Sequence, residues 1–178
     1  GDLYPSAGAS VVMTTKGDMV DYNTERQRLG IGTAGQVLAV AGGLPVWSDA
    51  SSITHSIAME IAASDETTAL TVADDKVTFR MPYAMTLNAG IAGVRASLTT
   101  AGTTSGVTTI DIEQGGSSIL STLLTIDYGE LTSYTAATPV VVGTTALTDN
   151  SEITVNVDVL SGGATEAGLK IQLIGTLT

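Results

Sequence analysis

The stretch EITVNVDV, residues 152–159, decides the fold class of this chain. Successive side chains of a β-strand point to opposite faces, so a strand with one buried face shows apolar residues at every second position. This stretch has that pattern throughout, and it predicts a strand with one face toward a core. The apolar set alternates with the polar set: Ile153, Val155, Val157 and Val159 against Thr154, Asn156 and Asp158.

The same alternation recurs in KVTFRM (76–81), TIDIE (109–113) and LKIQLIGTL (169–177). Gly115-Gly116 precedes a further apolar run and indicates a hairpin turn. Short strands with frequent turn signals predict an all-β chain whose C-terminal part is an antiparallel, jelly-roll-like β-sandwich. Loops can replace strands in residues 62–74 and 128–150. The expected core residues are Phe79, Ile110, Ile112, Val155, Val157, Ile171 and Leu173.

The composition limits the class of partner. Of 178 residues, 43% are hydrophobic, and the formal net charge is −11. A strongly acidic surface repels nucleic acid and anionic membranes, so we expect no nucleic-acid partner and no membrane insertion. No apolar run approaches the roughly 18 residues that a membrane-spanning helix needs. The chain has no cysteine, so it has neither disulfides nor thiolate chemistry.

Residues that carry chemistry are few. His55 is the single histidine. Without a cysteine or a second histidine, it gives little support for a catalytic site. We therefore predict that the chain is not an enzyme, and we assign no catalytic residue, cofactor or metal ligand. The sequence leaves open whether some loop carboxylates bind Ca²⁺ or face solvent, because they lack the spacing of a calcium loop. These acids are Asp65, Glu66, Asp74, Asp75, Asp149 and Glu152.

Residues 14–47, TTKGDMVDYNTERQRLGIGTAGQVLAVAGGLPVW, differ from the rest of the chain. They resemble a recurrent element of tailed-phage fibre and virion-surface proteins. The later body resembles, more loosely, β-sandwich modules of marine phage virion proteins through DETTALT, VTFRMPYAMTL and SILSTLLTIDYGE. The first resemblance rests on Thr14-Thr15-Lys16-Gly17-Asp18, Arg28-Leu29, Ile31-Gly32-Thr33, Gly35-Gln36-Val37-Leu38 and Pro45-Val46-Trp47.

The resemblance implies an intertwined homotrimer without a catalytic role. The apolar residues of this segment are too few to bury themselves within one short segment, but three copies around an axis can bury them together. Its glycines permit tight corners and close backbone approaches. We therefore predict that the segment is an oligomerisation collar. Its interface residues are Leu29, Ile31, Val37, Leu38, Val40, Leu44, Val46 and Trp47.

These observations predict three parts: an attachment peptide (1–13), the collar (14–52) and a β-sandwich domain (53–178). The attachment peptide is expected to anchor the chain to other virion proteins, of the capsid or the tail, through Leu3, Tyr4, Val11 and Val12. The expected function is that of a structural virion protein on the particle surface. It would be a short homotrimeric head decoration or head fibre, or a tail-associated fibre.

Two alternatives belong to other classes. The first is a carbohydrate-binding adhesin tip for host-surface glycans, which is favoured if exposed aromatic residues cluster at one end of the sandwich. The second is a small depolymerase, which requires convergent carboxylates in a groove.

Overall fold

The computed structural model describes residue 16 and residues 18–22, 26–50 and 55–178. The chain divides into two compact units, Gly1–Thr54 and His55–Thr178. Apart from short 3₁₀ turns, the regular elements in the described residues are strands, and every pair of strands is antiparallel. The predicted all-β class is confirmed.

The described residues of the first unit form two antiparallel strand pairs. Strand β1 (Met19–Tyr22) pairs with β2 (Arg26–Leu29), and β3 (Gln36–Ala41) pairs with β4 (Leu44–Asp49).

The second unit contains twelve strands. They are β5 (Ser56–Ala62), β6 (Ala73–Arg80), β7 (Met85–Leu87), β8 (Val94–Ser97), β9 (Val107–Gln114), β10 (Ser117–Ser118), β11 (Leu120–Thr122), β12 (Leu124–Asp127), β13 (Val141–Val142), β14 (Ala146–Leu147), β15 (Glu152–Val159) and β16 (Lys170–Leu177).

Two sheets form the body of this unit. In the β16 sheet the order is β14-β7-β16-β5, and β8 also pairs with β16. In the β15 sheet the order is β10-β9-β15-β6, and β12 also pairs with β9. Counting β7 with β8, β10 to β12, and β13 with β14 each as one position gives eight positions, with orders 1-8-3-6 and 2-7-4-5 in the two sheets. This is the strand order of a jelly roll.

The two sheets share one hydrophobic core. Six of the seven predicted core residues are buried; the exception, Phe79, is partly buried and packs against the core. The expectation for Val159 was wrong, because this residue is 49% exposed. The pairing of β15 with β9 shifts register between Val157 and Val159, and such a bulge turns the next side chain away from its expected face.

The sandwich has two distinct ends. The chain enters at one of them, where Ser56 pairs with Thr176 and the His55 carbonyl accepts a hydrogen bond from Leu177 N. Three loops lie at the opposite end, which we term the loop end: residues 63–72, 98–106 and 160–169. Strands β5, β8 and β15 end there, and β6, β9 and β16 begin there.

Candidate interaction surfaces

The β3–β4 hairpin is a tight ribbon. Gly42 and Gly43 form its two-residue turn with φ of +60° and +82°. Positive φ at both positions gives the twist that matches paired strands, and glycine adopts it without steric cost. The turn fixes the register, in which Leu38 lies opposite Trp47 and Val40 opposite Pro45.

Residues that carry the fibre-element resemblance contact one another within a single chain. Trp47 Nε1 donates a hydrogen bond to the Gly30 carbonyl over 2.7 Å. Its ring covers Gly32, where an added Cβ would lie 2.6 Å from Trp47 Cδ2. Ile31 N donates to Asp18 Oδ1 at 3.0 Å, and Asp18 is buried. These contacts hold residues 30–32 against the hairpin, a role that spacing in the sequence did not reveal.

A further pair of contacts fixes the turn before the hairpin. Thr33 N donates to Gln36 Oε1 at 3.0 Å, and Gln36 N donates back to the Thr33 carbonyl at 3.1 Å. Ala50 N donates to the Gly35 carbonyl at 2.9 Å, close to the end of β4. The motif residues Thr33, Gly35 and Gln36 therefore set where the ribbon begins.

None of the eight predicted interface residues is buried in the single chain. Ile31, Leu38 and Val40 are 54%, 47% and 76% exposed, and the other five are half-buried. Residues opposite each other in a hairpin share a face. One face of the ribbon therefore carries Leu38, Val40, Pro45 and Trp47, and the other carries Val37, Ala39, Leu44 and Val46.

Both faces of the ribbon are thus apolar, and neither is fully covered. The predicted anchor residues Leu3, Tyr4, Val11 and Val12 lie outside the described residues, and the structure adds nothing to that prediction.

The loop end of the sandwich is built around a buried carboxylate. Glu166 is 0% exposed, and its Oε1 accepts hydrogen bonds from Thr108 Oγ1 and Ser161 N, each over 2.9 Å, and from Ser161 Oγ. Gly102 approaches the same site so closely that an added Cβ would lie 2.7 Å from Glu166 Oε1. Glu166 therefore joins the loop of 160–169 to β9, beneath the loop of 98–106.

The hydrogen bonds favour the ionised form of Glu166. Burial raises the pKa of this carboxyl, but donors from Ser161, the Glu166 backbone and Thr108 lower it, and the net pKa lies below its ordinary value. Oε2 of the same group has no hydrogen-bond partner in the described part of the chain. Sequence inspection missed this residue, because nothing in its spacing indicates burial.

Two of the acids considered for Ca²⁺, Asp65 and Glu66, accept hydrogen bonds from groups of the chain. Asp65 Oδ1 accepts hydrogen bonds from Thr67 N and Thr68 N, each at 2.8 Å, and these donors hold the pKa of Asp65 well below its usual range. Glu66 pairs with Lys170 Nζ at 2.5 Å, which lowers the pKa of Glu66. Among residues 16, 18–22, 26–50 and 55–178, no group of three or more His, Cys, Asp or Glu is arranged to hold a metal ion.

Three tyrosines of the second unit are largely exposed. Tyr128 and Tyr134 are 55% and 64% exposed, and Leu131 between them is 48% exposed. All three follow β12, whose last residue lies at the loop end, opposite Val107. Tyr83 is 63% exposed but lies at the other end, after β6. Two of these exposed aromatic rings therefore share one segment.

Comparison with known proteins adds no assignment. No protein-family model, curated protein or solved structure matches the chain. No helix among the described residues has the length and apolar character needed to cross a membrane.

The contact between Gly32 and Trp47 can be tested through the only tryptophan in the chain. Gly32→Ala places a methyl group where the indole ring lies, and we expect this overpacking to cost about 1–3 kcal/mol and to displace the ring. The displaced indole becomes more exposed to water, so its fluorescence emission shifts to longer wavelength. Ala34→Ser, at an exposed turn position, is the matched control. Unchanged emission in Gly32→Ala would show that the ring does not pack there.

The buried carboxylate predicts a pH-dependent effect on stability. Glu166→Gln is expected to lower the free energy of unfolding at neutral pH by about 1.5–3 kcal/mol, because hydrogen bonds to an ionised group are lost. The folded-state pKa lies below the unfolded value of about 4.3. The contribution is therefore fully present above that value and disappears as pH falls through the folded pKa.

Thermal unfolding of both proteins from about pH 7 to about pH 3 checks this expectation. The difference in midpoint between wild type and Glu166→Gln should narrow toward acid. Glu113→Gln, on the outer face of β9, controls for the loss of one negative charge. A difference that stays constant over this range contradicts an ionised Glu166.

Proposed function

We propose that this chain is a structural protein of a tailed-phage particle, displayed on the virion surface as a short homotrimer. It serves as a head decoration or head fibre, or as a tail-associated fibre, and has no catalytic role. The observation that carries the proposal is the β3–β4 ribbon, whose two faces are apolar and incompletely covered in the single chain.

A ribbon of this kind favours association with further copies. An isolated two-stranded hairpin is at best marginally stable in water. Fully burying an exposed aliphatic side chain stabilises by roughly 1.5–3 kcal/mol, and several such side chains per copy can offset the entropy of association. Three copies around an axis would cover both faces. The number three comes from the resemblance to fibre elements, which form intertwined homotrimers.

The second unit is consistent with display on a particle. Jelly rolls occur in viral capsid proteins and in lectins, although a fold alone does not determine function. The chain enters this unit at the end opposite to the loop end. Residues 1–52 carry five acids and three bases, whereas the remaining residues carry thirteen acids and four bases. The less charged N-terminal end is the better suited to lie against other virion proteins.

A second candidate function is that of a carbohydrate-binding adhesin tip for host-surface glycans. The exposed segment with Tyr128, Leu131 and Tyr134 favours it, because aromatic rings that are held in place at the surface offer flat apolar contacts to sugars. The two functions are compatible in one protein, since the ribbon and the tyrosine segment belong to different units.

Light scattering tests the oligomer. Wild type is expected to have the mass of a trimer, and Leu38→Asp is expected to shift it toward monomer because a carboxylate would have to enter the apolar interface. Val72→Asp is the matched control, because Val72 is an aliphatic residue of the second unit that is 58% exposed. Circular dichroism should show folded strands in both variants. A wild-type monomer at micromolar concentration contradicts the proposal.

Deletion of residues 1–12 tests attachment to the particle. We expect the shortened chain to remain a soluble oligomer and to be lost from assembled particles, because the anchor is removed while the ribbon is intact. Quantitative mass spectrometry of purified particles measures incorporation, and full-length chain from parallel infections is the control. Normal incorporation of the shortened chain would rule out this peptide as the anchor.

A further inference from the structure

Charge is unequally divided between the two sheets of the sandwich. The strands of the β16 sheet carry one acidic residue, Glu60, and two basic ones, Arg95 and Lys170. The strands of the β15 sheet carry two basic residues, Lys76 and Arg80, and seven acidic ones: Asp74, Asp75, Asp111, Glu113, Asp127, Glu152 and Asp158. In a chain of net charge −11, the outer face of the β16 sheet is therefore the less acidic side of the sandwich and repels an anionic partner less than the β15 sheet does.

Arg95 lies on this face beside an exposed aromatic ring. Its Cζ is 5.3 Å from the centroid of the Tyr134 ring, within the range of a cation–π interaction. Its Nε donates to the Ile91 carbonyl at 2.8 Å. The described residues supply no carboxylate to this guanidinium and no acceptor to its two terminal nitrogens. The outward end of the guanidinium is thus available to a ligand.

The backbone that carries the Tyr134 ring is held in position, although Tyr134 is 64% exposed. Tyr134 N donates to Thr132 Oγ1 at 3.1 Å. The neighbouring Ser133 is buried, and its Oγ accepts a hydrogen bond from Ala96 N of β8 at 2.9 Å. These bonds fix the backbone at Tyr134 and immediately before it, and this backbone places the ring beside Arg95, so a ligand would meet a pair that is already assembled.

Polar side chains continue from this pair across the sheet. Arg95 lies opposite Gln172, and Gln172 lies opposite Glu60, to which its Nε2 donates at 2.7 Å. Lys170, one step further along β16 on the same face, lies opposite Ser97 and is held by Glu66. The surface therefore offers one free guanidinium, one ring and a row of hydrogen-bonding groups.

We infer that this face, centred on Arg95 and Tyr134, binds an acidic polysaccharide of the uronic-acid type. The planar guanidinium matches a carboxylate with two parallel N–H donors. The tyrosine ring offers a flat surface to the C–H face of a pyranose ring, and the neighbouring amide and hydroxyl groups suit sugar hydroxyls. This inference names the ligand class of the second candidate function, on which it rests, and it does not depend on the trimer.

The arrangement fits a saccharide better than a denser polyanion. Double-stranded DNA carries one charge per roughly 1.7 Å, and its binding requires many cations along a track. The described outer face of the β16 sheet offers a single free guanidinium, that of Arg95, in a chain whose net charge is −11. In a uronic-acid polymer, neutral hydroxyl groups separate the carboxylates. One carboxylate can therefore contact Arg95 while the others stay away from the carboxylates of the protein.

Calorimetric titration of the full chain at low salt tests the inference. The probes are tetragalacturonic acid, neutral maltotetraose and a short DNA oligonucleotide. We expect binding of the acidic sugar alone, weakening as salt rises. Arg95→Gln should reduce affinity by about tenfold, since a charge-assisted hydrogen bond is lost. Arg95→Lys keeps the positive charge but lacks the two parallel N–H donors of the guanidinium, so it should also bind more weakly than wild type. Tyr134→Ala should weaken binding as well.

Arg80→Gln and Tyr83→Ala are the matched controls, because Arg80 belongs to the β15 sheet and Tyr83 lies at the opposite end of the sandwich. Both should retain wild-type affinity, and thermal unfolding should show that every variant is folded. The inference is overturned if wild type does not bind the acidic sugar, if it binds the neutral sugar or the oligonucleotide as well, or if Arg80→Gln weakens binding as much as Arg95→Gln. Light scattering of Arg95→Gln should give the wild-type mass, so failure here is distinguishable from failure of the proposed trimer.

Discussion

Strand β16 is hydrogen-bonded on both sides, and the same is true of β15 in the opposite sheet. Each strand also directs alternate aliphatic side chains into one common core. The jelly roll depends on this double constraint, because backbone pairing fixes which side chains face inward and burial of those side chains fixes the register. The loops that join the two sheets begin and end at the ends of these two strands and of the strands paired with them, so the pairing fixes the end points of the loops.

Hydrogen bonds to the sandwich also hold the surface loops at the loop end. Residues 98–106 and 160–169 are rich in Gly, Ser and Thr and have little apolar surface to bury. They are held by the hydrogen bonds around Glu166 and by backbone approaches that only glycine permits at Gly102. A buried ionised group is costly unless it is well paired, so its burial ties the order of these loops to the order of the sheets beneath.

The first unit differs from the sandwich in how its apolar residues are buried. Its ribbon has a defined turn and register, and Trp47 fixes the preceding segment, yet none of its aliphatic residues is fully buried. In the proposed trimer, further copies of the chain would complete this core. The proposed trimer and the inferred saccharide face therefore use separate parts of the molecule. In the proposal, one part would join the copies, and the other presents a sheet that is less acidic than the opposite sheet.

The sequence by itself determined the fold class and most of the core, because an alternation of period two is a local property that each strand carries in its own residues. It also identified the apolar set of the ribbon, and the resemblance of residues 14–47 drew attention to Asp18, Gly32, Gln36 and Trp47. Tertiary structure alone decided how these are used: that Trp47 covers Gly32, that Val159 turns outward at a bulge, and that Glu166 is buried. It also decided that Arg95 meets Tyr134. Some of these contacts join residues that are distant in the chain, and the position of Val159 depends on a register shift. Local spacing in the sequence reveals neither a distant contact nor a register shift.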